Sequence, residues 1–242
     1  MKTLANHSDR RYGSANVLTE DEVRALLATF SRRSPCAIRN RALVLFLWRT
    51  GLRINEALGV ETRDLQLDGE SPRVFVRNAK FGKQRVVGIH QEALDALERW
   101  LEERRRLGFG RVKPVWITIS SNNHGKPLAA SYVREMLVTK RAQAGITGRV
   151  HPHAFRATLA VELAREGVPL PAIRDVLGHA NIACTDAYLR RVFPEDAIAA
   201  VIARGQPEPE PEPEPDPRVK LVDAILALDD FSVRRVLRAL DG

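Results

Sequence analysis

The stretch IRNRALVLFLWRTG (residues 38–51) decides the fold. Its centre is apolar on every face of a helix, and such a helix is stable only when other elements surround it. Gly51 ends the pattern, as glycine commonly does at helix C-termini. The sequence therefore predicts a buried central helix with the rest of a domain built around it.

The chain on both sides of this helix is mainly of helical periodicity. Thr19, with acidic residues after it, is typical of a helix N-cap. The period changes in PRVFVRNAKFGKQRVVGI (72–89), which predicts a β-hairpin, and KPVWITI (113–119) indicates a further short strand. We therefore expect an α+β fold, mostly α-helical with a small antiparallel β-sheet, with further helices at 18–30, from 55, at 90–106, 129–145, 152–167 and 170–178, and a last segment from about 182 to 205.

Composition predicts four parts along the chain. Residues 1–16 are polar and expected to be loose, and residues 17–205 form the main domain. Residues 206–218, QPEPEPEPEPDPR, are a Pro/Glu linker that is extended by proline and self-repulsion. Residues 219–242 have apolar residues at helical spacing but are too few to bury a core alone. This tail is expected to bind its own domain, a second copy or a protein partner.

The net charge of +8 is unevenly placed, since residues 207–217 hold five acids and no bases and the rest of the chain carries +13. Such a surplus favours a nucleic-acid partner over a membrane, and a merely basic protein is the alternative. The apolar run 42–48 is too short to cross a bilayer, and the N-terminus lacks the apolar stretch of a signal peptide. Cys36 and Cys184 are too few for a disulfide framework, which indicates the cytoplasm.

Two stretches carry residues suited to a phosphate. In RTGLRINEAL (49–58), Arg53 follows the end of the buried helix, and Glu56 can either reach back to Arg53 or cap the next helix. In HPHAFRAT (151–158), His153 and Arg156 lie three residues apart and share a helix face. Arginine offers a bidentate fork to phosphate, and histidine offers a donor or a proton carrier. Each stretch alone is also compatible with ordinary surface residues or a helix cap.

Two further stretches complete the pattern. In NAKFGKQR (78–85), Lys80, Lys83 and Arg85 lie near a hairpin tip, where they can contact DNA phosphate or donate a proton; a merely solubilising hairpin is the alternative. In LGHANIACTDAYLR (177–190), Gly178 ends a helix, His179 follows it, and Tyr188 comes nine residues after the histidine.

Together TGLRINEALGV, KFGKQRVV, PHAFRATLAVELAREGV and LGHANIACTDAYLR resemble, in order and spacing, the catalytic domain of the tyrosine recombinase (phage integrase) family over about residues 17–200. Lys80 is preferred to Lys83 because KFGKQRVV aligns with the family's Lys-Gly-x-Lys-x-Arg hairpin at its first lysine. Lys83 and Arg85 are expected to bind DNA. The resemblance implies Glu56 as a supporting acid, Tyr188 as the nucleophile, and the other catalytic residues Arg53, Lys80, His153, Arg156 and His179.

The resemblance implies a site-specific recombinase or integrase of a mobile element or replicon. Such an enzyme is expected to cut and rejoin double-stranded DNA through a 3′-phosphotyrosine, with no metal, cofactor or ATP. The resemblance also implies a homotetramer on DNA, a monomer or weak association without DNA, and a cytoplasmic location at the nucleoid. The four matching stretches contain no cluster of carboxylates, which argues against a two-metal nuclease.

Two other functions fit the same fold. LPAIRDVLGHANIACTDAYL (170–189) mimics a helix-turn-helix, so a DNA-binding regulator without recombinase activity is one alternative. A type IB topoisomerase-like nicking-closing enzyme is the other.

The sequence departs from the family at Ala157, where histidine is frequent. It also has only some sixteen residues before the first helix, where members usually carry a DNA-binding domain. We expect either part of a longer protein or a small form that uses its tail or a partner instead.

Overall fold

A computed structural model describes residues 17–77, 84–120 and 124–178, all within one compact unit. They form seven α-helices and one antiparallel sheet, which confirms the predicted fold class. The predicted linker and C-terminal tail lie outside the described residues, as does the last helical segment. The helices are α1 (Glu20–Ala28), α2 (Pro35–Thr50), α3 (Ile54–Leu58), α4 (Gln91–Arg106), α5 (Ala130–Gln143), α6 (Pro152–Arg165) and α7 (Leu170–Leu177); the strands are β1 (Leu65–Gln66), β2 (Arg73–Val76) and β3 (Arg85–Gly88).

Helix α2 is the buried central helix that the sequence predicts. All its residues from Ala42 to Trp48 are buried, and it packs against both α4 and α6. The indole N–H of Trp48 donates to both carboxylate oxygens of Glu162 on α6, at 2.9 and 3.1 Å. The helix begins at Pro35, three residues earlier than expected, because proline suits the first turn. In the described part of the chain, no helix is long and apolar enough to span a bilayer.

Leu18, just before α1, is hydrogen-bonded to α6. The hydroxyl of Thr158 accepts from the backbone N–H of Leu18 at 3.0 Å and lies 3.2 Å from the Leu18 carbonyl, to which it donates. Thr19 then caps α1, since its hydroxyl accepts from the N–H of Glu22 and the Glu22 carboxylate accepts from the N–H of Thr19. One buried threonine on α6 therefore fixes the start of α1 next to the helix that carries His153 and Arg156.

The predicted hairpin is present, with an additional strand. β2 pairs with β3 in a register that sets Val74 opposite Val87 and Val76 opposite Arg85. Val74, Val76 and Val87 are buried and anchor the sheet on the helices. β1 was not predicted, because two residues are too few to show an alternating pattern. The sheet thus fixes Arg85 at the first position of β3, while the hairpin tip itself lies outside the described residues.

The short strand predicted at 113–119 is wrong. This segment makes only isolated bridges, between Glu61 and Pro114 and between Ile117 and Pro127. Its central residues Val115, Trp116 and Ile117 are all buried, so it lacks the alternation of a half-exposed strand. Proline has no N–H to donate, and a proline on one side of each bridge prevents a continuous ladder.

Gly51 ends α2 in the left-handed conformation, with φ of 63°. A Cβ built here meets Leu177 Cδ2 at 2.8 Å and Leu159 Cδ2 at 2.9 Å. Glycine is therefore required both by the turn and by the close approach of α6 and α7. The same residue presents its carbonyl to the candidate site, so the fit of these helices and the geometry of that site depend on one position.

Gly51→Ala is expected to lower the free energy of unfolding by about 2–4 kcal/mol, since left-handed backbone strain and overpacking add. Urea denaturation measures the change. Gly148→Ala is the matched control, because a Cβ there has no neighbour within 4 Å and its φ is not positive. Equal stability of the Gly51 and Gly148 variants would contradict the packing described for this turn.

Candidate active site

Arg53 and Glu56 form the first part of the site, directly after α2. Arg53 is the N-cap of α3, and its backbone N–H donates to Glu56 Oε2 at 3.0 Å. Its side-chain Nη1 donates to Glu56 Oε1 at 2.8 Å. Glu56 thus both reaches back to the arginine and caps the helix. Because Glu56 is only 3% exposed and Arg53 is 32% exposed, the carboxylate holds the arginine while leaving part of the guanidinium accessible.

Arg156 on α6 is the second part, and it is almost fully buried. Its Nη1 donates to the carbonyl of Gly51 at 2.8 Å, two residues before Arg53. Its buried Nη2 has no hydrogen-bond partner among the described residues. Burial, followed by the positive charge of Arg53, lowers the pKa of Arg156 to about 9. The guanidinium is therefore charged at neutral pH, and an anion bound to it would relieve both the unpaired N–H and the buried charge.

His153 lies on the first turn of α6, with its side chain partly accessible. Partial burial of the imidazole is the main cause that lowers the pKa of this histidine, and the positive charge of Arg156 lowers it further. The ring of His151 stacks nearly parallel to it, with centroids 6.4 Å apart. The pKa of His151 is lowered by partial burial and by Arg149. With a pKa below the ordinary value near 6.5, His153 is neutral at pH 7 and able to accept a proton.

Arg85 is placed differently from the sequence expectation that it binds DNA. Its side chain is 12% exposed and forms an ion pair with Glu56 at 2.9 Å. Its Nε donates to the carbonyl of Val176, near the end of α7, at 3.2 Å. The guanidinium is bonded inside the protein, because Arg85, at the start of β3, lies beside the buried carboxylate of Glu56. The DNA contact of Arg85 stays a prediction from the sequence.

The C-terminal turn of α7 joins the same cluster. Gly178 ends the helix with φ of 63°, as the sequence predicts. Its carbonyl accepts from Arg53 Nη2 at 3.2 Å. Sequence reasoning identified Gly178 only as a helix end and did not assign a role to the Gly51 carbonyl. Neither interaction has a sequence signal, because backbone carbonyls exist at every residue and only the packing of α6 and α7 selects these two.

Burial by itself raises the pKa of Glu56, but hydrogen bonds from Arg85 and Arg53 more than offset this and hold the pKa below its usual range. A carboxyl with a lowered pKa stabilises the fold above the pKa it has when unfolded, near 4.3, and this contribution is lost as pH falls through the lowered value. Glu56 therefore contributes to stability at neutral pH and ceases to do so in acid.

Glu56→Gln is expected to lower the free energy of unfolding by about 3 kcal/mol at pH 7, since it leaves buried arginine charge uncompensated. The difference from wild type shrinks as pH falls below about 4. Urea denaturation across this range measures both effects. Glu20→Gln is the control, since Glu20 forms an exposed pair with Arg24. A difference that is constant with pH would contradict the assigned ionisation of Glu56.

Four of the residues predicted for the site lie outside the described residues: Lys80, Lys83, His179 and Tyr188. Their roles, and the preference for Lys80 over Lys83, stay predictions. The structure brings together Arg53, Glu56, His153 and Arg156, with Arg85 added to them. Across residues 17–77, 84–120 and 124–178, no group of three His, Cys, Asp or Glu side chains is arranged to hold a metal ion.

The site thus contains two arginines that can bind an anion, a histidine of lowered pKa and a buried glutamate that holds one of these arginines. It lies on a mostly helical α+β domain. The chain belongs to the phage integrase family, whose model matches residues 16–194. It is 34% identical over 173 residues to tyrosine recombinase XerC of Halalkalibacterium halodurans, covering 71% of this chain and 56% of that protein. It is also 34% identical over 178 residues to tyrosine recombinase XerD of Mycobacterium leprae, covering 71% and 55%. The chain therefore spans a little over half the length of these relatives.

Solved structures agree with the fold. The crystal structure of the XerA recombinase superposes with a TM-score of 0.63 at 27% identity, over 80% of this chain and 66% of that one. The XerH site-specific recombinase, solved with its difH substrate in a post-cleavage complex, gives 0.65 at 22% identity, over 78% and 53%. The second likeness concerns the fold alone.

Proposed function

We propose that this chain is the catalytic part of a site-specific DNA recombinase, which cleaves and rejoins DNA strands through a 3′-phosphotyrosine at Tyr188 without metal or ATP. The observation that carries the proposal is the Arg53–Arg156 pair. Arg156 is fixed to the Gly51 carbonyl and keeps a buried N–H unpaired, while Arg53 is fixed two residues further along. The family and its recombinase relatives support the same reaction.

The arginine pair suits the charge that develops at a phosphodiester under attack. Negative charge grows on the non-bridging oxygens in the transition state, and preorganised donors in a water-poor site stabilise it. Arg156 offers its free N–H from a buried position, and Arg53 offers the accessible side of its guanidinium. Glu56 holds Arg53 without approaching the phosphate, because its carboxylate oxygens are already bonded to Arg53 and Arg85.

In the proposed reaction the Tyr188 hydroxyl attacks phosphorus and the bond to the 5′-oxygen breaks. A tyrosine hydroxyl has an ordinary pKa near 10 and needs a proton acceptor or a strongly positive site. His153 takes that proton, since its lowered pKa keeps the imidazole neutral at pH 7, and the arginine pair supplies the positive field. Lys80 gives a proton to the leaving 5′-oxygen, and His179 donates a hydrogen bond to the phosphate.

The phosphotyrosine conserves the energy of the broken bond. A 5′-hydroxyl of a second duplex can attack it, which restores Tyr188 and joins the strands without ATP. Double-stranded DNA is thus the proposed substrate, and a homotetramer on DNA is the proposed assembly, since two duplexes must each be cut in both strands. The +8 net charge of the chain and its tyrosine recombinase relatives support a DNA partner.

The test needs no known target sequence. The full chain is incubated, in EDTA and without ATP, with a pool of nicked duplexes randomised around the nick. SDS-resistant adducts are then isolated and their DNA is amplified and sequenced; the duplex so enriched is called the selected duplex. Two differently labelled copies of the selected duplex are expected to yield junctions and recombinant strands.

Other outcomes separate the alternatives. Adducts with relaxation of a plasmid carrying the site, but without recombinant strands, indicate a topoisomerase-like enzyme. Sequence-selective binding without any adduct indicates a regulator of the same fold. Either result would overturn the proposed function, and the Tyr188→Phe chain controls for nonspecific crosslinking.

A further inference from the structure

We propose that Arg85 is a positioning residue, which fixes the C-terminal turn of α7 and, through the Glu56 that both arginines share, the guanidinium of Arg53. The proposal rests on the proposed function, because it concerns the same strand-cleavage site. It replaces the DNA contact that the hairpin sequence suggested for this arginine. It is based on contacts among Arg85, Glu56, Val176 and Gly178, all within the described residues.

All three guanidinium nitrogens of Arg85 donate inside the protein. Nη2 bonds to Glu56 Oε2 at 2.9 Å, Nη1 lies 3.4 Å from Glu56 Oε1, and Nε bonds to the Val176 carbonyl at 3.2 Å. Because this side chain is only 12% exposed, against 32% for Arg53, its remaining N–H groups have little access to a DNA phosphate. Its contacts instead join three separate elements, β3, α3 and α7.

The turn that Arg85 holds is shaped around its guanidinium. A Cβ built at Gly178 would lie 2.8 Å from Arg85 Cζ and 2.8 Å from Nη1, and Gly178 has a φ of 63°. The positive φ favours glycine there, and any Cβ at this position would displace the Arg85 guanidinium. The carbonyls at the end of α7 lack intrahelical partners, and a cation at a helix C-terminus is favourable.

The same turn is bound by a residue that faces the substrate. Arg53 Nη2 donates to the Gly178 carbonyl, and both arginines share Glu56. Loss of Arg85 therefore frees one side of Glu56 and one carbonyl of α7 at once, so that Arg53 and the turn at Gly178 both shift. A shift of about 1 Å in a catalytic group can cost about a hundredfold in rate.

The experiment compares Arg85→Lys and Arg85→Gln with wild type. Lysine keeps a positive charge for Glu56 but lacks the fork that reaches Val176 as well. Arg73→Lys is the matched control, because Arg73 lies on β2 and bonds only to exposed Gln66 among the described residues. Three quantities are measured: the single-turnover rate of adduct formation on the selected duplex at saturating protein, the Kd for that duplex with its salt dependence, and hydrogen exchange of residues 170–178 without DNA.

For both Arg85 variants we expect about a hundredfold slower adduct formation, an unchanged Kd and salt dependence, and faster exchange at residues 170–178. The control matches wild type in all three. An unchanged rate overturns the proposal. So does a weaker Kd with a flatter salt dependence and a normal saturated rate, which marks a DNA contact. If wild type forms no adduct, the proposed function fails, and hydrogen exchange then tests the role of Arg85 alone. Unchanged exchange at residues 170–178 in the Arg85 variants overturns that role. If Arg85→Gln does not fold, Arg85→Lys is compared with wild type instead.

Discussion

Replacing Tyr188 with phenylalanine is expected to abolish the SDS-resistant adduct while leaving DNA binding intact. Phenylalanine removes only the hydroxyl oxygen, the atom that would form the bond to phosphorus, and it keeps the ring and its packing. No other oxygen nucleophile of this chain is expected to reach the same phosphate, because the arginine pair fixes one orientation of the scissile bond. Denaturing gels with a labelled selected duplex measure the adduct, and gel shift measures binding.

Tyr132→Phe is the matched control for this substitution. Tyr132 has a hydroxyl that accepts from Arg39 at 2.8 Å and from Asn40 at 3.0 Å, in the contact between α2 and α5. Its loss is expected to reduce stability and to leave adduct formation in place at temperatures where the protein is folded. A Tyr188→Phe chain that still forms the adduct would remove Tyr188 from the reaction.

Replacing Arg156 with lysine is expected to slow adduct formation by about a hundred- to a thousandfold, the usual loss when one donor to a developing oxyanion is removed. The guanidinium has two tasks: Nη1 bonds to the Gly51 carbonyl, and the free Nη2 is available to the phosphate. A lysine ammonium is a single point of charge and cannot span both positions. Single-turnover kinetics at saturating protein measure the loss.

Arg165→Lys, at the exposed last turn of the same helix, is the control for Arg156→Lys. It is expected to leave the rate of adduct formation at the wild-type value. Thermal denaturation of both variants separates slower chemistry from unfolding. If Arg156→Lys cleaves as fast as wild type while folded, the unpaired Nη2 has no part in the reaction, and the anion-binding interpretation of the site is wrong.

The sequence predicts the fold well where a local pattern dictates the element. The apolar centre of α2 has to be buried, Thr19 and Glu22 form the expected cap, and Gly51 ends the helix in the left-handed conformation. It predicts less well where tertiary contacts decide. The segment 113–119 has strand-like composition, yet its prolines and full burial leave it with isolated bridges only.

In the candidate site, too, sequence predicts which residues take part but not the tertiary contacts that they make. Residue types and spacing identify Arg53, Glu56, His153 and Arg156, since a phosphate site needs forked donors and a proton carrier. Spacing does not reveal which donors remain free. Arg156 keeps one buried nitrogen without a hydrogen-bond partner among the described residues, whereas each guanidinium nitrogen of Arg85 bonds to Glu56 or Val176, and both facts depend on tertiary contacts. Sequence alone predicts both arginines near DNA, and the structure gives them different partners inside the protein.

The most direct test is to identify the amino acid that becomes attached to DNA. The full chain is reacted with the selected duplex in EDTA and without ATP, the adduct is digested with nuclease and trypsin, and the modified peptide is sequenced by mass spectrometry. Our proposal predicts a nucleotide joined through its 3′-phosphate to Tyr188, with a free 5′-hydroxyl on the released strand. Attachment at another residue, attachment through a 5′-phosphate, or an adduct that forms only with a divalent metal would contradict it.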